Sequence, residues 1–134
     1  MRYQRAELPL KLDGPAAARK FFAGCLAERD AEMEHLWVAH LDGQSRCIHL
    51  SWHEGDVGGV DFPIRSIIAD AALHSSASIL LAHNHPGGNA FPSDADLGAT
   101  RRLAIAAGAL GCKVVDHLVF AGGECTSLRA LGFV

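Results

Sequence analysis

The order of apolar patterns along this chain predicts an α/β domain, either a three-layer α/β/α sandwich or an α+β arrangement. A nearly continuous apolar run from Ser78 to Ala82 is typical of a strand buried on both faces. This run lies between two segments with helical spacing, and a hairpin pattern stands before and after that unit. At 134 residues, the chain is expected to fold as a single domain, residues 1 to 134.

The composition of the chain excludes several classes of protein. Apolar residues make up 49% and charged residues 20%, which supports a packed core and argues against global disorder. The formal net charge of -3 gives no general attraction to nucleic acid. Neither a signal-peptide pattern nor a membrane-spanning apolar run is present, and the four scattered cysteines form no Cys-x-x-Cys pair. A reduced, cytoplasmic protein is therefore expected.

The N-terminal part contains one predicted helix. Residues 1 to 12 have little pattern, but Asp13 as a cap and Pro15 as an early helical residue favour a helix over residues 16 to 28. An apolar face at helical spacing indicates that this helix packs against the core; its members are Phe22, Cys25 and Leu26.

A hairpin is predicted next. Residues 33 to 41 and 46 to 52 alternate in polarity on either side of Asp42-Gly43, a turn dipeptide. Glu34 stands at the start of the first strand, where a lone carboxylate is ordinarily just a solvated strand end. Residues 53 to 61 are rich in glycine and are expected to form a surface loop that borders a site.

The second half of the chain supplies the remaining elements. Residues 62 to 75 have an apolar stripe at helical spacing, so a helix is expected to cover the sheet before the central strand begins. Another helix is predicted from residue 93 to residue 110. The β-branched run from 113 to 120 and the short segment from 125 to 128, joined by a Gly-Gly turn, predict a second hairpin.

The residues best suited to catalysis or metal binding lie between His83 and Asp96. Side chains two apart in a strand point the same way, so His83 and His85 can bind one ion together. A Pro- and Gly-rich loop then leads to Ser93 and Asp96 at the start of the next helix. Zn²⁺ favours imidazole nitrogen and carboxylate oxygen, and catalytic zinc sites typically have three protein ligands. His83, His85 and Asp96 would make such a set.

An ordinary helix N-cap would explain part of this pattern. It accounts for Ser93 and for the acidic residues near the positive end of the helix dipole. It does not account for two histidines at the end of an apolar strand, where an unpaired buried imidazole costs free energy. The combination therefore favours a metal site.

The other histidines carry weaker signals. Asp116 and His117 are adjacent on a predicted strand and face opposite ways, so only one of them can support the metal ligands. A core histidine bonded to the backbone is an equally good interpretation of His117. The rest are interpreted as surface or packing residues: His35, His40, His49, His53 and His74.

The spacing His-x-His, seven residues, Ser, two residues, Asp resembles the motif of JAMM (MPN+) metalloproteases. The longer strings 82 to 86, 93 to 96 and 115 to 119 are similar to the bacterial RadC family in particular. Glu34, followed by the strand and turn up to residue 46, resembles the place where RadC-like domains have their glutamate. The chain is identified as a RadC-like JAB domain, with the resemblance running from about residue 33 to residue 128.

The resemblance implies a cytidine-deaminase-like α/β/α fold of the JAB/MPN type with a mixed central sheet. It implies a zinc ion held by His83, His85 and Asp96, and Glu34 as the base acting on a zinc-activated water. Ser93 would donate a hydrogen bond to the tetrahedral intermediate. The implied activity is hydrolysis of a peptide or isopeptide bond in a peptide or protein substrate.

The alternative is a non-catalytic RadC-like module in DNA repair or recombination, in which metal stabilises the fold and the surface binds a partner or nucleic acid. The resemblance to RadC also implies a two-part protein, in which a helical N-terminal region precedes this domain. Only 33 residues precede Glu34, too few for that region, so a naturally short relative or one domain of a longer protein is expected.

Two other enzyme classes fit poorly. Nucleobase deaminases use His-x-Glu and Pro-Cys-x-x-Cys zinc ligands, and neither sequence is present. Ser-His-Asp hydrolysis would favour a Gly-x-Ser-x-Gly elbow, which is also missing.

Overall fold

A computed structural model of the chain describes residues 10–55 and 62–134. Within these ranges it contains three helices and six strands. The first strand is short and was not expected from the sequence, and the other elements follow the predicted order. The helices are α1 (Pro15–Ala27), α2 (Ile64–Leu73) and α3 (Asp94–Gly108). The strands are β1 (Leu10–Lys11), β2 (His35–Leu41), β3 (Arg46–Glu54), β4 (Ser78–Asn84), β5 (Lys113–Ala121) and β6 (Glu124–Ser127).

The six strands form one mixed sheet in the order β1-β3-β2-β4-β5-β6. The β2–β3 and β5–β6 hairpins are antiparallel, as is the β2–β4 pair, whereas β4 and β5 are parallel. Parallel neighbours need a crossover connection, and α3 provides it. β4 lies in the middle of the sheet and is buried from residue 79 to residue 83, which confirms the predicted central strand.

Helices cover both faces of the sheet and make three layers. α1 packs on one face, and α2 and α3 pack on the other. β2 supplies alternate side chains to the two cores because successive residues of a strand face opposite ways. Trp37 and Ala39 lie in the core beneath α1, and Leu36 and Val38 lie in the core beneath α2 and α3. The predicted α/β/α architecture is confirmed.

Two local predictions are wrong. Asp13 does not cap α1, because the helix starts one residue later than that role requires: Gly14, at a φ of 103°, is the N-cap residue and Pro15 is the first helical residue. The sequence predicts a loop at His53 and Glu54, but these residues continue β3 by pairing with the first residues of β2. The remainder of that predicted loop, 56 to 61, lies outside the described residues.

The structure adds two observations on the class of protein. No helix in the described ranges combines the length and the apolar character needed to cross a membrane. The cysteines at 25, 47, 112 and 125 all lie in those ranges and are free thiols, three of them buried.

Candidate metal centre

Four side chains predicted from the sequence converge at the carboxyl end of β4. Leu36 of β2 pairs with His83 of β4, so Glu34 lies beside the point where β4 ends. α3 begins at the same edge and carries Asp96 in its first turn. One potential ligand atom from each of Glu34, His83, His85 and Asp96 lies within 4.8 Å of the others. The sheet register therefore brings Glu34 to the other three residues, a proximity that the sequence alone does not show.

Asp96 caps α3 and faces both histidines. The backbone N–H of Ser93 donates to Asp96 Oδ2 at 2.9 Å, and the N–H of Asp96 donates to Ser93 Oγ at 3.0 Å, which is a reciprocal capping box. The same carboxylate lies 3.5 Å from His83 Nε2 through Oδ1 and 2.9 Å from His85 Nε2 through Oδ2. The cap and the metal site suggested by the sequence are thus one arrangement.

The charge of Asp96 follows from these neighbours. Burial raises the pKa of Asp96, but the adjacent His83 imidazole, the Ser93 N–H and the neighbouring His85 imidazole together lower it further. The net pKa lies well below that of an ordinary aspartate. Asp96 is therefore an anionic oxygen donor at neutral pH.

A backbone carbonyl orients the ring of His85. Its Nδ1 lies 2.7 Å from the carbonyl oxygen of Asn89, which only accepts, so Nδ1 carries a hydrogen. Gly88, at a φ of 86°, turns the loop that returns Asn89 to this position. In the neutral ring Nε2 then presents a lone pair to Asp96 at 2.9 Å. Two acceptors so close repel each other unless a proton or a metal ion lies between them.

A series of buried side chains orients the ring of His83. Thr100 Oγ1 donates its only hydrogen to the carbonyl of Asp96 at 2.8 Å, so it accepts from His117 Nδ1 at 2.7 Å. His117 Nε2 then accepts from His83 Nδ1 at 2.7 Å. His83 Nε2 is left with a lone pair and, among the described residues, without a hydrogen-bond partner.

His117 is well suited to its place in this series of hydrogen bonds between Thr100 and His83. Burial lowers its pKa well below the ordinary value, so the ring stays neutral. The sequence left the role of His117 open, and the structure assigns it to the site face of β5. Asp116 points the other way and accepts from Ser127 Oγ at 2.6 Å. Thr100 was missed, although it stands four residues after Asp96, the spacing that places two residues on one helix face.

Asn84 holds the backbone on both sides of Glu34. Its Oδ1 accepts from the N–H of His35 at 2.7 Å, and its Nδ2 donates to the carbonyl of Met33 at 2.9 Å. Glu34 Oε2 lies 3.8 Å from His83 Nε2. The Glu34 side chain is 22% exposed, whereas that of Asp96 is 2% exposed. The two carboxylates thus differ in access to solvent.

The donor set fits a divalent transition metal ion. Ligands about 2.0–2.1 Å from a tetrahedral Zn²⁺ are roughly 3.3 Å apart. The nitrogen–oxygen separations at Asp96 are 2.9 and 3.5 Å, on either side of that value. The unpartnered nitrogen of His83 also gains a partner if a cation binds. His83, His85 and Asp96 could therefore hold a metal ion, with Glu34 beside them.

Comparisons with known proteins agree with this geometry. The family model described as "RadC-like JAB domain" matches residues 12–133. UPF0758 proteins of Cellvibrio japonicus, Vibrio campbellii and Vibrio atlanticus are 36%, 34% and 33% identical to the chain over 124 residues. Each of these matches covers 92% of the chain and 54% of the relative. The chain spans about half the length of the curated relatives it matches.

Proposed function

The chain belongs to the RadC-like JAB domain family, and from this premise we propose that it is a zinc-dependent hydrolase of the JAMM type that cleaves a peptide or isopeptide bond. The superfamily includes metallohydrolases, which makes this class of activity the natural one to test. One observation carries the proposal: donor atoms of Glu34, His83, His85 and Asp96 lie within 4.8 Å of one another.

His83, His85 and Asp96 would hold the zinc ion through two imidazole nitrogens and one carboxylate oxygen. A bound Zn²⁺ supplies Lewis acidity, which polarises a carbonyl and lowers the pKa of a water molecule. His117 and the carbonyl of Asn89 bond the opposite nitrogens of the two rings at 2.7 Å. Such partners fix the tautomer and the orientation of metal-binding histidines.

Glu34 would move the proton. Its partial exposure places it where a water molecule can reach it, unlike the enclosed Asp96. Glu34 accepts a proton from the attacking water as the new carbon–oxygen bond forms, and donates it to the amide nitrogen as the carbon–nitrogen bond breaks. The products are a carboxylic acid and an amine, and Glu34 returns to its carboxylate form.

Ser93 would stabilise the tetrahedral intermediate. Its oxygen accepts the N–H of Asp96 at 3.0 Å, which uses a lone pair and leaves the hydroxyl hydrogen for donation. A donor aimed at the negative oxygen of the intermediate lowers the barrier to acyl transfer.

The test is Glu34→Gln, which keeps the size of the side chain but removes its basicity. The probes are a quenched-fluorescent peptide library and a matching set of lysine isopeptides, with zinc content measured by mass spectrometry. We expect wild-type zinc content and at least a roughly 100-fold lower rate, since general base catalysis contributes on that scale. Glu54→Gln is the matched control, because Glu54 lies on the neighbouring strand with its side chain 48% exposed.

Other results would contradict the proposal at different points. If the wild-type protein bound no zinc, the proposed zinc-dependent hydrolysis would be ruled out. Zinc binding with unchanged hydrolysis in Glu34→Gln would show that Glu34 is not the residue that moves the proton. Zinc binding without cleavage of any probe, together with strongly salt-dependent DNA affinity, would favour the non-catalytic module in DNA repair.

A further inference from the structure

A second histidine-rich cluster occupies the other end of β2. His40 faces the same side of the sheet as Leu36 and Val38, because residues two apart in a strand share a face. His49 of β3 pairs directly with His40 in the ladder. Asp70 comes from the last turn of α2, and His74 follows at its C-cap. None of these residues belongs to the proposed catalytic centre.

Three of the four side chains have donor atoms close enough to share an ion. One potential ligand atom from each of His40, His49 and Asp70 lies within 4.8 Å of the other two. His49 Nε2 and Asp70 Oδ2 are 3.3 Å apart. That separation matches the roughly 3.3 Å between two ligands of a tetrahedral zinc ion.

His40 offers an independent indication of a missing ligand. The residue is fully buried, at 0% exposure. Its Nδ1 lies 2.9 Å from Ser76 Oγ, but its Nε2 has no hydrogen-bond partner within the part of the chain that the structure describes. An unpaired buried nitrogen costs free energy, and a cation would supply the partner. Burial, followed by the charge of His49, lowers the pKa of His40 to about 4, so the ring is neutral at pH 7.

His74 covers this cluster without joining the donor set. Its ring stacks on that of His49, with centroids 4.0 Å apart and planes inclined by 19°. A metal ion lies close to the plane of each imidazole that binds it, and two nearly parallel rings at this distance cannot both meet that condition. His49 is therefore the ring that can serve as a ligand.

We propose that His40, His49 and Asp70 form a second site, which binds a divalent transition metal ion and ties α2 to the β2–β3 hairpin. Two imidazoles and a carboxylate form a donor set of the kind that zinc and its neighbours prefer. The side chains of His49 and Asp70 are 5% and 25% exposed. Because the three donors come from β2, β3 and α2, a bound ion would hold these elements together, so its role is structural.

The test counts zinc ions on the full chain. Purified protein is stripped with chelator, titrated with Zn²⁺ by calorimetry, and analysed for bound metal after dialysis. The main variant is Asp70→Asn, which keeps the size of a partly exposed helical side chain and is expected to fold. His49→Gln is the second variant. His53→Gln is the control: it changes a histidine on the same face of β3, whose Nε2 lies 3.3 Å from Ser51 Oγ.

We expect wild type and His53→Gln to bind two zinc ions, and Asp70→Asn and His49→Gln to bind one, with unchanged circular dichroism. Equal zinc content in wild type and Asp70→Asn would overturn the second site. The result does not depend on the proposed function: if the first centre bound no metal, wild type would bind one ion and Asp70→Asn none.

Discussion

The two histidine clusters lie on the same face of the sheet near opposite ends of β2 and use the same kinds of donor atoms, yet they differ in the number of groups that meet there. At the first centre Glu34 stands beside the three proposed ligands as a fourth, partly exposed group. At the second cluster the donor set found among the described residues consists of His40, His49 and Asp70, all three of them proposed ligands. An additional carboxylate, rather than the type of donor atom, separates a centre suited to chemistry from one suited to holding elements together.

The largest effect is expected from Asp96→Asn, which weakens a proposed ligand and the anionic cap of α3. Zinc at the first centre and all hydrolysis should be lost. Weakening the cap should lower the unfolding free energy by about 1 kcal/mol. Asp94→Asn is the matched control, since Asp94 stands exposed in the same helical turn. Metal analysis and thermal unfolding measure both effects. Full zinc content in Asp96→Asn would contradict the ligand assignment.

The next largest effect is expected from the hydrogen bonds that His117 and Thr100 provide behind His83. His117→Gln should weaken zinc binding at the first centre by roughly 10- to 100-fold, the range found when an outer partner of a metal ligand is removed. Thr100→Val keeps the side-chain shape but not the hydroxyl, and should lie near the lower end of that range. Zinc titration by calorimetry measures the change. The second cluster serves as an internal control, because its affinity should not move.

Asn84→Ala should reduce hydrolysis without removing zinc. The change deletes the two bonds that hold the backbone beside Glu34, and it should cost about 1–3 kcal/mol of unfolding free energy. Asn84→Asp keeps the acceptor for His35 and loses the donor to Met33, so an intermediate effect is expected. Parallel measurements of kcat and zinc content decide the outcome. Loss of zinc in step with activity would show that Asn84 supports the ligands instead.

The smallest effect is expected at the second cluster. Ser76→Ala removes the partner of His40 Nδ1 and should weaken zinc binding there by roughly tenfold, as for other outer partners. The first centre should be unaffected. A change in zinc affinity at the first centre would show that the two sites are coupled through β2.

The first centre was largely predictable because its pattern is local. His83, His85, Ser93 and Asp96 fall within one strand, loop and helix start, so their spacing reports their geometry. The role proposed for Glu34 comes from a family resemblance, since only the register of β2 against β4 brings it alongside. The side of β5 that His117 occupies could not be read either, because the sequence does not say which of two adjacent polar residues faces the helices.

The second cluster was missed for the same physical reason. Its members come from β2, β3 and α2 with no repeated spacing, and each one alone is an ordinary packing histidine or helix aspartate. At the level of the fold, the long apolar runs were interpreted correctly because burial on both faces leaves a strong pattern. The two-residue β1 is too short to leave one, and Gly14 displaced the cap expected at Asp13.

The capping box of α3 affects how mutants at its serine must be interpreted. One oxygen, Ser93 Oγ, holds the N–H of Asp96 and is the proposed donor to the reaction intermediate. A slow Ser93→Ala enzyme would therefore mix two defects, a tilted ligand and a missing donor, in a single rate constant. Threonine also caps helices well, so Ser93→Thr should preserve both functions, and Ser93→Gly, tolerated at caps, should mainly expose the loss of the donor.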